Sequence, residues 1–264
     1  MSAEADHVYD VVIVGAGSGG YACALRAAQL GLTVALIERD KLGGTCLHRG
    51  CIPTKALLHA AEVADVARDG ARFGVQSSVS GIDMPTVLSY QQSVVSRLYK
   101  GLQGLVKSAA IDLIDGDARI TSPTTVSVDD RVLTGRNLVV ATGSTSRTIP
   151  GVTIGGRILS SDEALRAEGV PASAIVLGGG VIGVEFASAW RSLGAQVTVL
   201  EALPRLVAAE DPAISKQLTR AFTRRGITVR TDTRVTGVTQ DDAAVTVEIE
   251  GGDPLTADVL LVAV

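Results

Sequence analysis

The chain has 264 residues, 46% of them hydrophobic and 20% charged, with a formal net charge of −4. That length suits two domains, and that composition excludes a disordered polymer. Lys and Arg are scattered rather than clustered, which argues against a nucleic-acid partner. No apolar run reaches the roughly 18 residues that span a bilayer, and the opening MSAEADH lacks the pattern of a secretory signal, so a cytoplasmic chain with no membrane contact is expected.

In chain order, the first elements are an apolar β-rich run (Val11 to Val14), a glycine turn, a helix rich in Ala and Leu, and a second β-rich run (Thr33 to Ile37). This is a βαβ unit. Its turn carries Gly15, Gly17 and Gly20 as G-x-G-x-x-G, with Glu38 closing the second strand about 20 residues on. The first glycine suits a tight turn, the second a close approach to a pyrophosphate, and the third tight helix–strand packing; the acid would accept hydrogen bonds from an adenosine ribose. One such motif is weak, since glycine turns before helices are common.

Next comes GGTCLHRGCIPTKALLHAAE, which places Cys46 and Cys51 close together, with Gly50 and Pro53 shaping the entry to a helix. The pair can close a small disulfide ring, and a helix N-terminus would stabilise a Cys51 thiolate. Two other readings compete. Cys46, His48 and Cys51 could ligate a metal, although a structural zinc site needs four ligands and no second Cys or His pair exists, so no metal is expected. The cysteines could also be ordinary buried thiols, which leaves the glycines and Lys55 unexplained. Cys23 reads as core packing, His48 as a loop residue, and His59 as a helical residue with no identifiable partner.

Helical spacing continues from Cys51 to Arg68 and again through Val87, Val94, Val95, Leu98, Leu102 and Leu105. Short β-like runs follow (Thr125 to Val128; Asn137 to Val140), and then a loop-like stretch from Thr142 to Gly156. We place the domain boundary there, giving domains 1–147 and 148–264. The second domain repeats the first at a constant offset: Gly178, Gly180, Gly183, Gly194 and Glu201 answer Gly15, Gly17, Gly20, Gly31 and Glu38. Duplication of strand, turn, helix and acid makes two dinucleotide sites the reading, and the Glu201 carboxylate favours NAD over a 2′-phosphorylated cofactor. Arg205 reads as a solvated loop cation. The fold expected is α/β, with two Rossmann-like domains.

LGGTCLHRGCIPTKALLHAAEVAD, the ATGS at Ala141 to Ser144 and GGGVIGVEFASAW from Gly178 resemble the pyridine nucleotide–disulfide oxidoreductases, and among them the dihydrolipoamide-oxidising enzymes, over essentially the whole chain. The resemblance implies FAD in the first copy and NAD in the second. It implies that Cys46 exchanges with substrate, that Cys51 faces the flavin, and that Lys55 lies beside the flavin and pairs with Glu185. Glu38, Gly44, Thr45, Ala118, Thr142, Gly143 and Ser144 would complete the FAD site, and Val181, Ile182, Glu201 and Val235 the NAD site. Implied partners are the lipoyl group of a 2-oxo acid dehydrogenase complex and a second subunit in a homodimer. The sequence looks cut at a strand end, Val259 to Val264. The family's further FAD segment and its interface domain, with a His–Glu pair serving as base, are not found in it. Low or absent turnover is therefore expected, a non-catalytic nucleotide-binding fragment is the rival reading, and mercuric or glutathione-type reductases are the alternatives within the class.

Overall fold

The structure, a computed structural model, describes residues 7–264. In chain order the first elements are β1 (Val8–Val14), α1 (Ser18–Gln29), β2 (Val34–Glu38), α2 (Gly44–His48) and α3 (Cys51–Asp69). After a short 3-10 turn come α4 (Met84–Ser108), β3 (Asp112–Asp115), β4 (Ala118–Ser122), β5 (Thr125–Val128) and β6 (Arg131–Val140). Residues 7–53, together with Gln92–Thr145, form one compact unit.

Its six strands lie in the order β3-β2-β1-β6-β5-β4. The β3-β2-β1-β6 portion is parallel, and β5 and β4 extend it as an antiparallel meander. Parallel strands covered on both faces read as continuous apolar runs, which is why VVIV and VALI stand without alternation. Val12, Ile13, Ala35 and Leu36 have no exposed surface.

The second unit comprises Thr54–Gln91 and Ser146–Val264. Its elements after the loop are β7 (Ile158–Leu159), α5 (Ser161–Ala164), β8 (Ser173–Leu177), α6 (Val181–Leu193), β9 (Gln196–Leu200), α7 (Pro212–Arg224) and β10 (Thr228–Arg230). Then follow β11 (Val235–Gln240), β12 (Val245–Ile249), β13 (Leu255–Ala257) and β14 (Val259–Val262). A parallel sheet, β10-β9-β8-β14-β7, is accompanied by an antiparallel one, β11-β12-β13.

These units differ from a single cut after residue 147. The segment 54–91 packs in the second unit because Leu57, Ala61 and Met84 join the core of Phe186, Trp190 and Leu193. The helical periodicity was therefore legible while its packing partner was not. Within α4, Val95, Leu102 and Val106 are buried, whereas Leu98 and Leu105, read as part of the same apolar face, are exposed.

Candidate functional site

In the first unit, Gly15 adopts φ +99°, and a Cβ there would collide with the Ala141 carbonyl oxygen at the end of β6. Gly20 lies so close to the Gly15 carbonyl that a methyl cannot fit. Gly17 is the extended N-cap of α1 and no side chain caps that helix, so its first N–H groups stay available to an anion. Helices α5 and α7, by contrast, are capped by Ser160 and Asp211.

The Glu38 carboxylate accepts N–H bonds from Ala16 at 2.8 Å and from Arg39 and Asp40 at 3.0 Å. A carboxylate offers about four acceptor positions, so one remains. A cleft of about 140 Å³ brings Gly15, Glu38, Ala118 and Thr142 together, along with Arg39, Gly116 and Asp117. Arg39 and Asp117 form an ion pair at 3.8 Å that the sequence did not suggest. Gly143 and Ser144 lie exposed in the loop after β6, outside that cleft.

Gly43 N donates to Ala16 O at 2.9 Å, which docks the start of α2 on the glycine turn. Gly44, at φ +58°, sits so near Gly17 that a Cβ would come within 2.7 Å of its Cα. Helix α2 then carries Thr45 and Cys46, and α3 begins on Cys51. Cys46 and Cys51 are joined as a disulfide with Cα atoms 4.6 Å apart, inside the usual bridging range.

The zinc reading thereby loses its ligands. Both sulfurs are bonded to each other, and the Nε2 of His48 lies 2.9 Å from the Leu42 carbonyl, to which it donates. His48 belongs to α2 rather than to a loop, and its ring packs edge-on against Tyr99. Among the described residues, no three His, Cys, Asp or Glu side chains converge as metal ligands. Cys23 is free and half-buried on α1.

In the second unit, Lys55 Nζ donates to Glu185 Oε1 at 2.7 Å. His59 does have a partner: its Nδ1 lies 3.3 Å from Glu62 Oε2, one turn along α3. Gly178 (φ +108°) and Gly183 repeat the close approaches of Gly15 and Gly20, here against the Ala263 and Gly178 carbonyls. Gly180 is again an extended N-cap with no side-chain cap, and Val181 and Ile182 stand exposed in the first turn of α6.

Glu201 accepts from Gly179 N at 2.6 Å and Leu203 N at 2.8 Å, leaving two acceptor positions. It shares a cleft of about 690 Å³ with Gly178, Gly180 and Val235. Arg147 and Arg234 line the same cleft, and neither was singled out from the sequence. Arg205 is not a solvated cation: its Nη2 donates to the Ala208 carbonyl at 2.6 Å, and its Nη1 is buried without a partner among the described residues.

Both turns therefore fit a dinucleotide. Each has a bare-backbone approach, an uncapped helix N-terminus and an acid with acceptor capacity to spare.

The sequence model of one family, described as "Pyridine nucleotide-disulphide oxidoreductase", matches residues 9–264. The chain is 42% identical over 261 residues to the dihydrolipoyl dehydrogenase of Bacillus subtilis (strain 168), covering 92% of this chain and 55% of that relative. It is 41% identical over 266 residues to the dihydrolipoyl dehydrogenase of Chlorobaculum tepidum, covering 97% and 57%. Among solved structures, it is similar to the HOCl-induced flavoprotein disulfide reductase RclA from Escherichia coli, with a TM-score of 0.80, 29% identity, and coverage of 97% of this chain and 56% of that one. The chain thus spans about half the length of the relatives it matches.

Proposed function

Since the chain belongs to the pyridine nucleotide–disulphide oxidoreductase family, we propose that it is the FAD- and NAD-binding portion of a dihydrolipoyl dehydrogenase. The observation that carries this is the Cys46–Cys51 disulfide, docked through Gly43 and Gly44 onto the first dinucleotide turn. The names of the relatives supply the substrate class.

Cys46 is assigned the exchange with substrate. A dihydrolipoyl thiolate attacks Cys46 Sγ, the Cys46–Cys51 bond breaks, and Cys51 leaves as a thiolate held at the N-terminus of α3. The second substrate thiolate then displaces Cys46, so lipoyl leaves as a disulfide and the cysteine pair is left as a dithiol. When bound in the first unit, FAD would supply a two-electron acceptor for that dithiol and the link to a nicotinamide. Gly15, Gly17, Gly20, Glu38, Gly44, Thr45, Ala118 and Thr142 to Ser144 are assigned to holding it. Lys55, oriented by Glu185, contributes a positive charge one turn along α3 from Cys51. Gly178, Gly180 to Gly183, Glu201 and Val235 are assigned to NAD.

The exchange needs a base. On the family resemblance we assign it to a residue of a partner subunit, in a cytoplasmic homodimer serving a 2-oxo acid dehydrogenase complex; within this chain the Nε2 of His48 is committed to a carbonyl and His59 pairs with Glu62. Loss of a general base costs about 10²–10⁴-fold.

Thiol titration of the 264-residue chain should gain two thiols on treatment with dihydrolipoamide, with stoichiometric lipoamide formed, while steady NAD-linked turnover stays negligible. No gain in thiols would sink the proposal. Rapid turnover would show that a base lies within these residues.

A further inference from the structure

Ten arginines lie between residues 147 and 234 of the second unit, and several of them are committed. Arg157 donates to the Asp258 carbonyl, Arg191 to the Arg225 carbonyl, and Arg225 to Ser188. Arg147 and Arg234 are different. Both are exposed, and among the described residues neither guanidinium has a hydrogen-bond or carboxylate partner. Both line the cleft that holds Glu201.

Their positions are set by backbone. Thr233 N donates to Glu201 O at 2.9 Å, which fixes the residue before Arg234 against the acid. Arg147 precedes Ile149, which packs in the same core cluster as Val235. The cleft therefore contains one carboxylate and two uncompensated cations. A ribose diol suits the two acceptor positions left on Glu201, whereas a 2′-phosphate would meet that carboxylate as a like charge and the guanidiniums as opposite ones.

Resting on the assignment of this cleft to a nicotinamide dinucleotide, we propose that its preference for the unphosphorylated cofactor is set by Glu201 alone, against Arg147 and Arg234, which already form an anion site for a 2′-phosphate. Neutralising one carboxylate is then enough to admit the phosphorylated dinucleotide, without adding any cation.

Calorimetric titration of the full chain with NADH and NADPH tests this. Glu201→Gln keeps an amide oxygen for the Gly179 or Leu203 N–H, and its melting temperature should stay near that of the unaltered chain. The unaltered chain should bind NADH more tightly. Glu201→Gln should tighten NADPH about tenfold or more, the gain should shrink at high salt, and adding Arg147→Ala and Arg234→Ala should abolish it. Arg220→Ala, on the exposed face of α7, should change neither affinity. NADH binding with no NADPH gain in Glu201→Gln, or a gain that survives loss of both arginines, would overturn this inference alone. Binding of neither dinucleotide by the unaltered chain would overturn the dinucleotide assignment and the inference with it.

Discussion

The two glycine turns begin alike and diverge in what settles on them. In both, an amide from the segment after the second strand donates to the residue following the first glycine: Gly43 N to Ala16 O at 2.9 Å, and Val207 N to Gly179 O at 2.7 Å. In the first unit that segment is Gly43–Gly44, both at positive φ, and its lack of side chains lets α2 rest on Gly17 and deliver Cys46. In the second it is Leu206–Val207, with Leu206 fully buried over Gly179. No redox element follows there. On one framework, two residues without side chains let a cysteine-bearing helix dock, and two residues with side chains cover the turn instead.

The strongest way to break this comparison is to fill a turn. Gly20→Ala places a methyl against the Gly15 carbonyl and should cost the first unit about 3 kcal/mol, seen as a lowered melting temperature and lost FAD uptake. NADH binding should persist; equal loss of both ligands would contradict two separate sites. Replacing both Cys46 and Cys51 with Ser removes a short covalent loop and should cost about 2 kcal/mol, again with NADH binding unchanged by titration.

A finer test sets Glu38→Ala beside Glu201→Ala. The first strands three N–H donors and the second two, so the first should lower stability by roughly 1–3 kcal/mol and the second by less. A reversed order in thermal melts would show that the turns do not depend on their acids as the geometry implies.

The smallest effect is alkaline. Burial first, and then the 2.8 Å hydrogen bond to Asp112, push the Tyr9 hydroxyl up to about 12, and the repeat has Ala172 at the matching place. A raised folded value favours the protonated form, so this contribution is whole below about pH 10 and is lost as pH rises toward 12. Tyr9→Phe should flatten stability against pH in that window, as read by denaturant titration.

The βαβ repeats were legible because strand, turn, helix and acid are contiguous and each leaves its own mark: Val11 to Val14 falls within β1 and Thr33 to Ile37 overlaps β2, and outside the repeat Thr125 to Val128 appears with the bounds the sequence suggests. What escaped was long-range. Nothing local reports that Asp65 meets Arg225 at 3.4 Å, or that Arg147 reaches the Glu201 cleft. The His48 ring was misplaced because a five-residue helix has too few turns for its period to show. Arg234 had one available signal, its adjacency to Val235.

Because residues 54–91 and 146–264 build the second unit although residues 92–145 separate them along the chain, synthesis and folding run out of step. Leu57 and Ala61 leave the ribosome well before Phe186 and Trp190, the partners that bury them. At the usual ~5–20 residues per second, that apolar stripe of α3 waits for about 5 to 30 seconds. The nascent chain must carry an uncovered hydrophobic helix through that interval, so its exposure to aggregation is set by the order of synthesis rather than by the finished fold.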